Sequence, residues 1–374
     1  MHGEAGRRQV SSPACFRRDR VLIMKYTKQV IAQMPKCYAV GMFDGSDASS
    51  FLAAVEKEGP IRRFALDGTP METVAKGPGG VMTIAQVPRR NDQFLATRKF
   101  FSPNFGGADA AIASYTHEAH DAWTERTLCD LPYVHRFGLL EGTDGTLWLL
   151  ACTIKGTAET GVKDDWRVPG AVWAAPLNGQ LEQYDDKNQL ELTCIASCQV
   201  QNHGFWTAPD KSFALISTAA GVFRYVPPAS PEGEWDITCL IIQPTSDIVV
   251  ADLDGDGANE ILTFSKFHGD TLSIWHETEI KDRYELVWTD PSKREFLHAL
   301  WAGDIAGKRV AIIGHRKEAR DLLLVHYTDG TYHVDVIDHD LGPANVWAYN
   351  DGTNDRIIAA YRETDQLALY TVKA

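Results

Sequence analysis

Apolar residues in this chain fall in runs of four to seven, rich in Val, Ile, Leu, Phe and Trp, and short polar turns interrupt the runs. Runs of that length, bounded by dipeptides such as Asp-Gly or Asn-Asp, predict β-strands joined by hairpins. No segment sustains a helical period. Seven segments share one outline: an apolar strand, a tight turn of Asp, Gly and Asn, a second apolar strand, a polar loop, and a third strand carrying aromatics. They open near Tyr38 (YAVGMFDGSDASSFLAAV), Val81 (VMTIAQVPRRNDQFLATR), His135 (HRFGLLEGTDGTLWLLACTIKG), His203 (HGFWTAPDKSFALISTAAGVFRYV), Asp247 (DIVVADLDGDGANEILTFSKFHGDTLSIW), His298 (HALWAGDIAGKRVAIIGHRKEARDLLLVHY) and Asn345 (NVWAYNDGTNDRIIAAYRETDQLALYTV). The starts lie 43 to 68 residues apart, with insertions such as 156–170 in the longest interval. That is the period of one four-stranded blade. A lone sheet of about 45 residues buries too little surface to stand alone, so the repeats must pack on one another. The pattern predicts an all-β protein: a single seven-bladed β-propeller over residues 25–374, preceded by a disordered or misassigned extension at 1–24, with Met24 as a second candidate start.

The repeat also predicts where side chains meet. The first strand of a blade is innermost, so the residues that open it ring one mouth of the central channel, and the loop after the antiparallel second strand returns to the same face. The opening positions are Tyr38, Val81, His135, His203, Asp247, His298 and Asn345. The returning loops add Arg98, Lys155, Asp164, Asp165, Trp166, His268, His315, Arg316, Arg362 and Glu363. Three histidines at equivalent positions, with cationic loops above them, exceed what solvating a channel requires. His276 and the remaining histidines lie outside this register and read as surface or packing residues. Neutral imidazoles gathered from different strands suit Zn²⁺ or another borderline divalent ion. The expected metal set is His135, His203 and His298, with Asp247 as a fourth ligand or an orienting partner.

Composition narrows the partners. Hydrophobic residues make up 44 % of the chain and charged residues 23 %, which fits a large core, and the formal charge of −13 disfavours nucleic acid or an anionic membrane. No stretch approaches the roughly 20 apolar residues of a membrane helix, and the arginine-rich first 24 residues lack a signal-peptide core. Seven cysteines, an odd number without a C-x-x-C pair, fit reduced thiols. A cytoplasmic location is expected, with homo-oligomerisation left open. There is no G-x-S-x-G elbow and no phosphate-binding Gly-rich loop before a helix, which speaks against a nucleotide-dependent enzyme.

A second constellation is Asp252-Leu-Asp254-Gly-Asp256-Gly-Ala-Asn-Glu260. Alternating carboxylates and glycines can wrap a hard cation in oxygen ligands, or remain empty and held by their own Asx turns. The run resembles the calcium loops of integrin-type propellers, the FG-GAP or VCBS repeats. That resemblance implies structural Ca²⁺ at Asp252, Asp254, Asp256 and Glu260, on the face opposite the histidines.

Taken together, HRFGLLEGTDGTLWLLACTIKG, DDWRVPGAVW, NHGFW, LHALWAGD and GPANVWAY resemble the propeller domain of the aldos-2-ulose dehydratases, also called 1,5-anhydro-D-fructose dehydratases, from about residue 36 onward. The chain lacks the further C-terminal domains of the fungal enzymes. The resemblance implies metal-assisted β-elimination of water from a small keto sugar. In that chemistry a divalent ion polarises the ketone, a base takes the acidified α-proton, and an acid assists departure of the β-hydroxyl. His268 and Lys155 are candidates for proton transfer. Arg98, Arg316 and Arg362 are candidates for holding hydroxyls or a developing enolate, with Trp166, Asp165, Asn345 and Tyr38 as sugar contacts. Two alternatives stay open: a polysaccharide lyase, whose arginines would neutralise a uronate, and a non-catalytic carbohydrate- or protein-binding propeller.

Overall fold

The computed structural model describes residues 24–101, 106–118, 122–157, 165–177 and 180–373. They form seven four-stranded antiparallel sheets, arranged as a seven-bladed β-propeller. Among the described residues the sole helical element is one 3₁₀ turn, Leu181–Gln183. The expected extension at 1–24 lies outside the described residues except for Met24.

Inner strands run from one face to the other: Cys37–Asp44, Ile84–Gln86, Val134–Glu141, Gly204–Thr207, Asp247–Ala251, Leu297–Ile305 and Pro343–Asn350 for blades 1 to 7. The predicted opening positions stand at or beside the starts of these strands. Blade 2 departs slightly, because its inner strand begins at Ile84. Just before it, the N–H groups of Met82 and Thr83 donate to the Thr97 hydroxyl instead of to a sheet partner.

The second strands of the blades are apolar and largely buried, as in Leu147–Thr153 (LWLLACT) and Asp355–Tyr361. Adjacent blades share apolar cores. Phe51 and Phe64 of blade 1, for example, stack with ring centroids 5.3 Å apart and pack with Ile358 and Leu369 of blade 7. Such interfaces bury a methylene-rich surface worth about 25 cal/mol per Å², and ring-wide repetition makes that the main stabilising term. The sequence repeat did not anticipate how the ring closes. Blade 7 takes its outermost strand from the start of the chain, Lys25–Gln33, which pairs with Gln366–Lys373.

Candidate functional site

The inner strands enclose a channel of about 600 Å³. Its wall is mostly apolar, with Val40, Ile84, Phe205, Ile248, Leu300 and Val346, whereas Arg136, Asp247 and His298 line it as well. Blades 4 and 5 approach so closely beneath the histidines that a Cβ on Gly204 would meet Asp247 Cα at 2.7 Å and the Ser246 carbonyl at 2.8 Å. Any larger residue there would push the two inner strands apart.

Three imidazoles converge at the channel end. One ring nitrogen from each of His203, His268 and His298 lies within 4.8 Å of the other two. His203 Nδ1 donates to the Ser246 carbonyl at 3.1 Å, and His298 Nδ1 donates to the Ala344 carbonyl at 2.6 Å. Both hydrogen bonds fix the tautomer, so each Nε2 carries a lone pair directed inward, the arrangement in which protein carbonyls orient metal-binding histidines. His203 Nε2 lies 3.4 Å from His268 Nε2, and His298 Nε2 accepts from the Tyr38 hydroxyl at 3.0 Å. His268 comes from the returning loop of blade 5 in a left-handed conformation (φ 47°). Its ring is clamped by Phe267, at 3.9 Å between centroids, and by Phe296, at 4.2 Å. Its N–H donates to the Ser246 hydroxyl, so Ser246 positions two of the three histidines.

Electrostatics keep this cluster neutral. Burial, then the positive Arg136, depress His203 to about 3. Burial likewise pushes His135, His268 and His298 well below the usual imidazole range, assisted by Arg136, Arg316 and the neighbouring imidazoles. Neutral imidazoles with inward lone pairs are the donor set of a borderline divalent ion, so the residues present fit the expected metal. Asp247, buried at the channel wall with its Oδ2 3.9 Å from His203 Nδ1, is raised to about 7 by burial. Burial also raises the Tyr38 phenol.

The membership differs from the sequence expectation in three places, the first being Asp247, a candidate fourth ligand, whose carboxylate stands beside His203 Nδ1 and does not join the group. His268, expected to transfer protons, takes its place among the converging nitrogens. His135, expected as a ligand, packs beside His203 with centroids 4.6 Å apart and brings no nitrogen into the group. Ring direction decides this, and strand position alone does not reveal it.

The other candidates divide. Trp166 meets Phe267 edge-on at 5.1 Å, and Phe267 in turn meets His203, so Trp166 stands at the rim of the cluster. Arg316 and Arg362 reach the same face already paired: Arg316 donates twice to Glu363 (2.7 and 3.0 Å), and Arg362 donates to Glu56 and Glu363. Arg98 points elsewhere, donating to Glu125 and Thr127 on the outer strand of blade 2. Asp165 is held by the Arg167 guanidinium at 2.8 and 2.9 Å. Asn345 donates to the Tyr38 carbonyl and so ties blade 7 to blade 1. Lys155 lies 5.1 Å over the Tyr133 ring, on blade 3. His315 turns toward Asp321, 3.5 Å away. Asp164 lies outside the described residues.

Arg136 was missed by the sequence reading. It is buried, donates to the Met82 carbonyl, sits 5.8 Å from the Tyr38 ring, and bears on the charge state of every histidine in the cluster. Its signal was a single cation inside the apolar run HRFGLL. Glu56, which anchors Arg362, carried no comparable signal because it closes a contact between the two ends of the ring.

On the opposite face, the acidic hairpin differs from the expected set. Asp252 caps the Gly255 N–H at 2.8 Å, and the converging groups are Asp254, Asp256, Glu260 and His276. His276 was expected to be a surface or packing residue. The register Ile261↔Trp275, extended by one pair, puts it across from Glu260.

Comparison with known proteins supports the fold and stops there. No family model matches the chain, and no curated protein matches it. Among solved structures, a streptogramin B lyase aligns over 93 % of this chain and 98 % of its own, with TM-score 0.58 and 11 % identity. A candidate 6-phosphogluconolactonase from Bacteroides uniformis aligns over 88 % and 90 %, with TM-score 0.51 and 11 % identity. A protein of unknown function from Desulfotomaculum acetoxidans gives 83 % and 87 %, TM-score 0.51 and 13 % identity. At such identities the likeness is one of architecture.

Proposed function

We propose that this propeller is a metal-dependent carbon–oxygen lyase that eliminates water from a small keto sugar at the His203, His268 and His298 end of the channel. The observation that carries the reading is the convergence of three buried, neutral imidazoles, two of them oriented by backbone carbonyls. A divalent ion bound there would act as a Lewis acid toward a ketone oxygen. The chain's own groups supply the rest. Asp247 faces the channel next to His203, where it can take the proton from the carbon beside the ketone. The electron pair then forms the new C=C bond as the neighbouring C–O bond breaks. Tyr38, whose hydroxyl stands 3.0 Å from His298 Nε2 and would be released from it once that nitrogen held the ion, can give its proton to the departing hydroxyl, which leaves as water. Arg136 places a fixed positive charge where negative charge develops on the substrate. Trp166 at the rim offers a flat face to a sugar ring.

A lyase and a lactonase among the similarly folded proteins are compatible with enzymatic use of such a scaffold. The uronate-lyase alternative has weaker support, because Arg316 and Arg362 already face Glu363 and Glu56. The deciding experiment combines elemental analysis of the purified chain with a screen of keto sugars, 1,5-anhydro-D-fructose among them, for ultraviolet-absorbing enone products. Bound Zn²⁺ or a similar ion together with an enone product supports the proposal. A metal-free chain that binds glycans without turning any over would make it a binding propeller.

A further inference from the structure

The hairpin on the opposite face of blade 5 has a chemistry of its own. Asp254 and Asp256 lie at its tip, Glu260 opens the second strand, and His276 lies on the third, with one ligand-capable atom of each within 4.8 Å of the others. Glu260 is fully buried. Its Oε2 accepts the Leu253 N–H at 2.6 Å, while its Oε1 is buried without a hydrogen-bond partner and faces His276 Nε2 at 3.7 Å. His276 Nδ1 donates to the Glu277 carbonyl at 2.9 Å, which turns Nε2 toward Glu260 and toward Asp256 Oδ2, 3.1 Å away. A proton on Nε2 would serve Asp256 alone, whereas a divalent cation in its place would also engage the unpartnered Glu260 oxygen.

We propose that this hairpin binds a first-row divalent transition metal of the Zn²⁺ class through His276 Nε2, Glu260 Oε1 and the carboxylates of Asp254 and Asp256. Calcium takes oxygen ligands, and an imidazole in the set favours Zn²⁺ and its neighbours. Asp252, which an all-oxygen loop would use, lies outside the converging group, where its Oδ1 accepts the Gly255 N–H. The unsatisfied Glu260 oxygen is the second sign of a missing cation, since a buried carboxylate oxygen without a partner is costly. Such an ion would clip three strands of one blade together, at the end of the propeller remote from the histidine cluster. This site stands independently of the proposed lyase activity.

The test uses the full chain, stripped with chelator and reloaded with Zn²⁺, Mn²⁺ or Ca²⁺ alone. His276→Gln should bind one fewer Zn²⁺ per chain than wild type by elemental analysis, and Asp254→Asn, at the hairpin tip, should bind Zn²⁺ at least 10-fold more weakly. Zn²⁺ should raise the thermal midpoint of the His298→Ala chain, in which the hairpin site is intact, by more than Ca²⁺ at equal concentration. Equal or larger stabilisation by Ca²⁺ that survives His276→Gln would overturn the proposal in favour of an oxygen-only calcium loop. Unchanged Zn²⁺ content in both His276→Gln and Asp254→Asn would reduce the cluster to an ion-paired hairpin.

Discussion

Blade 5 contributes to two polar clusters, one at each end, and they are built in opposite ways. The histidine cluster takes His203, His268 and His298 from three successive blades, and buries them until they are neutral. The hairpin cluster is drawn from one blade within 23 residues, Asp254 to His276, keeps Asp256 exposed, and raises His276 toward its charged form. The first depends on the whole ring for its geometry, whereas the second needs only a local register. A site assembled across blades should therefore fail when any blade shifts, and a site within one hairpin should tolerate changes elsewhere.

The strongest way to break this contrast is to remove one imidazole from the upper cluster. His203→Ala and His298→Ala are each expected to lose the metal bound there and to lower keto-sugar elimination on the order of 1,000-fold or more, since a Lewis acid contributes several kcal/mol to such a transition state. The propeller should still fold, as shown by an unchanged near-ultraviolet circular dichroism spectrum, and the metal bound at the hairpin should be unaffected. Unaltered turnover in both variants would end the lyase reading.

A pH series sharpens the same contrast. His203 is depressed in the folded chain, to about 3 against an ordinary 6.5, so between those values the unfolded chain binds the extra proton. Its contribution to stability is complete above about pH 6.5 and is lost as pH falls toward 3, at about 1.4 kcal/mol per pH unit. In metal-free protein, denaturant unfolding between pH 6 and 4 should show wild type losing stability faster than His203→Gln by about that slope. Asp247, raised by burial, works in the opposite sense over part of this range, and both chains carry it. Parallel curves for the two chains would mean that His203 is not held neutral by burial.

Smaller effects belong to residues that the sequence promoted and the structure demotes. Asp252→Ala should cost about 1 kcal/mol, the net worth of one hydrogen bond to the Gly255 N–H, without altering hairpin metal content. Arg98→Gln should change neither metal content nor turnover, because its guanidinium is engaged by Glu125 and Thr127. Loss of turnover in a well-folded Arg98→Gln chain would move the site toward blade 2.

The blade count and the face carrying His135, His203 and His298 were legible because a repeat fixes register, and register fixes which residues open each inner strand. What was not legible is rotation and partnership. Nothing in HRFGLL or KFHGD states that His135 would lie beside the cluster and His268 inside it, since that depends on the Ser246, Phe267 and Phe296 contacts that clamp the rings. Arg316 and Arg362 reach the face expected of them, whereas Arg98 does not, and the partner of Arg362 comes from a distant segment: Glu56 is 306 residues away. The DxDxDG run was the most visible motif, and its histidine was invisible until the pairing of the second and third strands was known.

The pairing of Lys25 with Lys373 has a consequence for how the chain is made. Of the described strands of this propeller, 25–33 leaves the ribosome before the others and the strand it must join, 366–373, after them. At 5–20 residues per second, roughly 20 to 70 seconds of translation separate them. Through that interval the first strand is an unpaired edge, and six blades must stack in order before its neighbour exists. Each nascent chain thus holds an open end that a neighbouring chain on the same message can occupy, so crowded polysomes are where two copies would first become entangled.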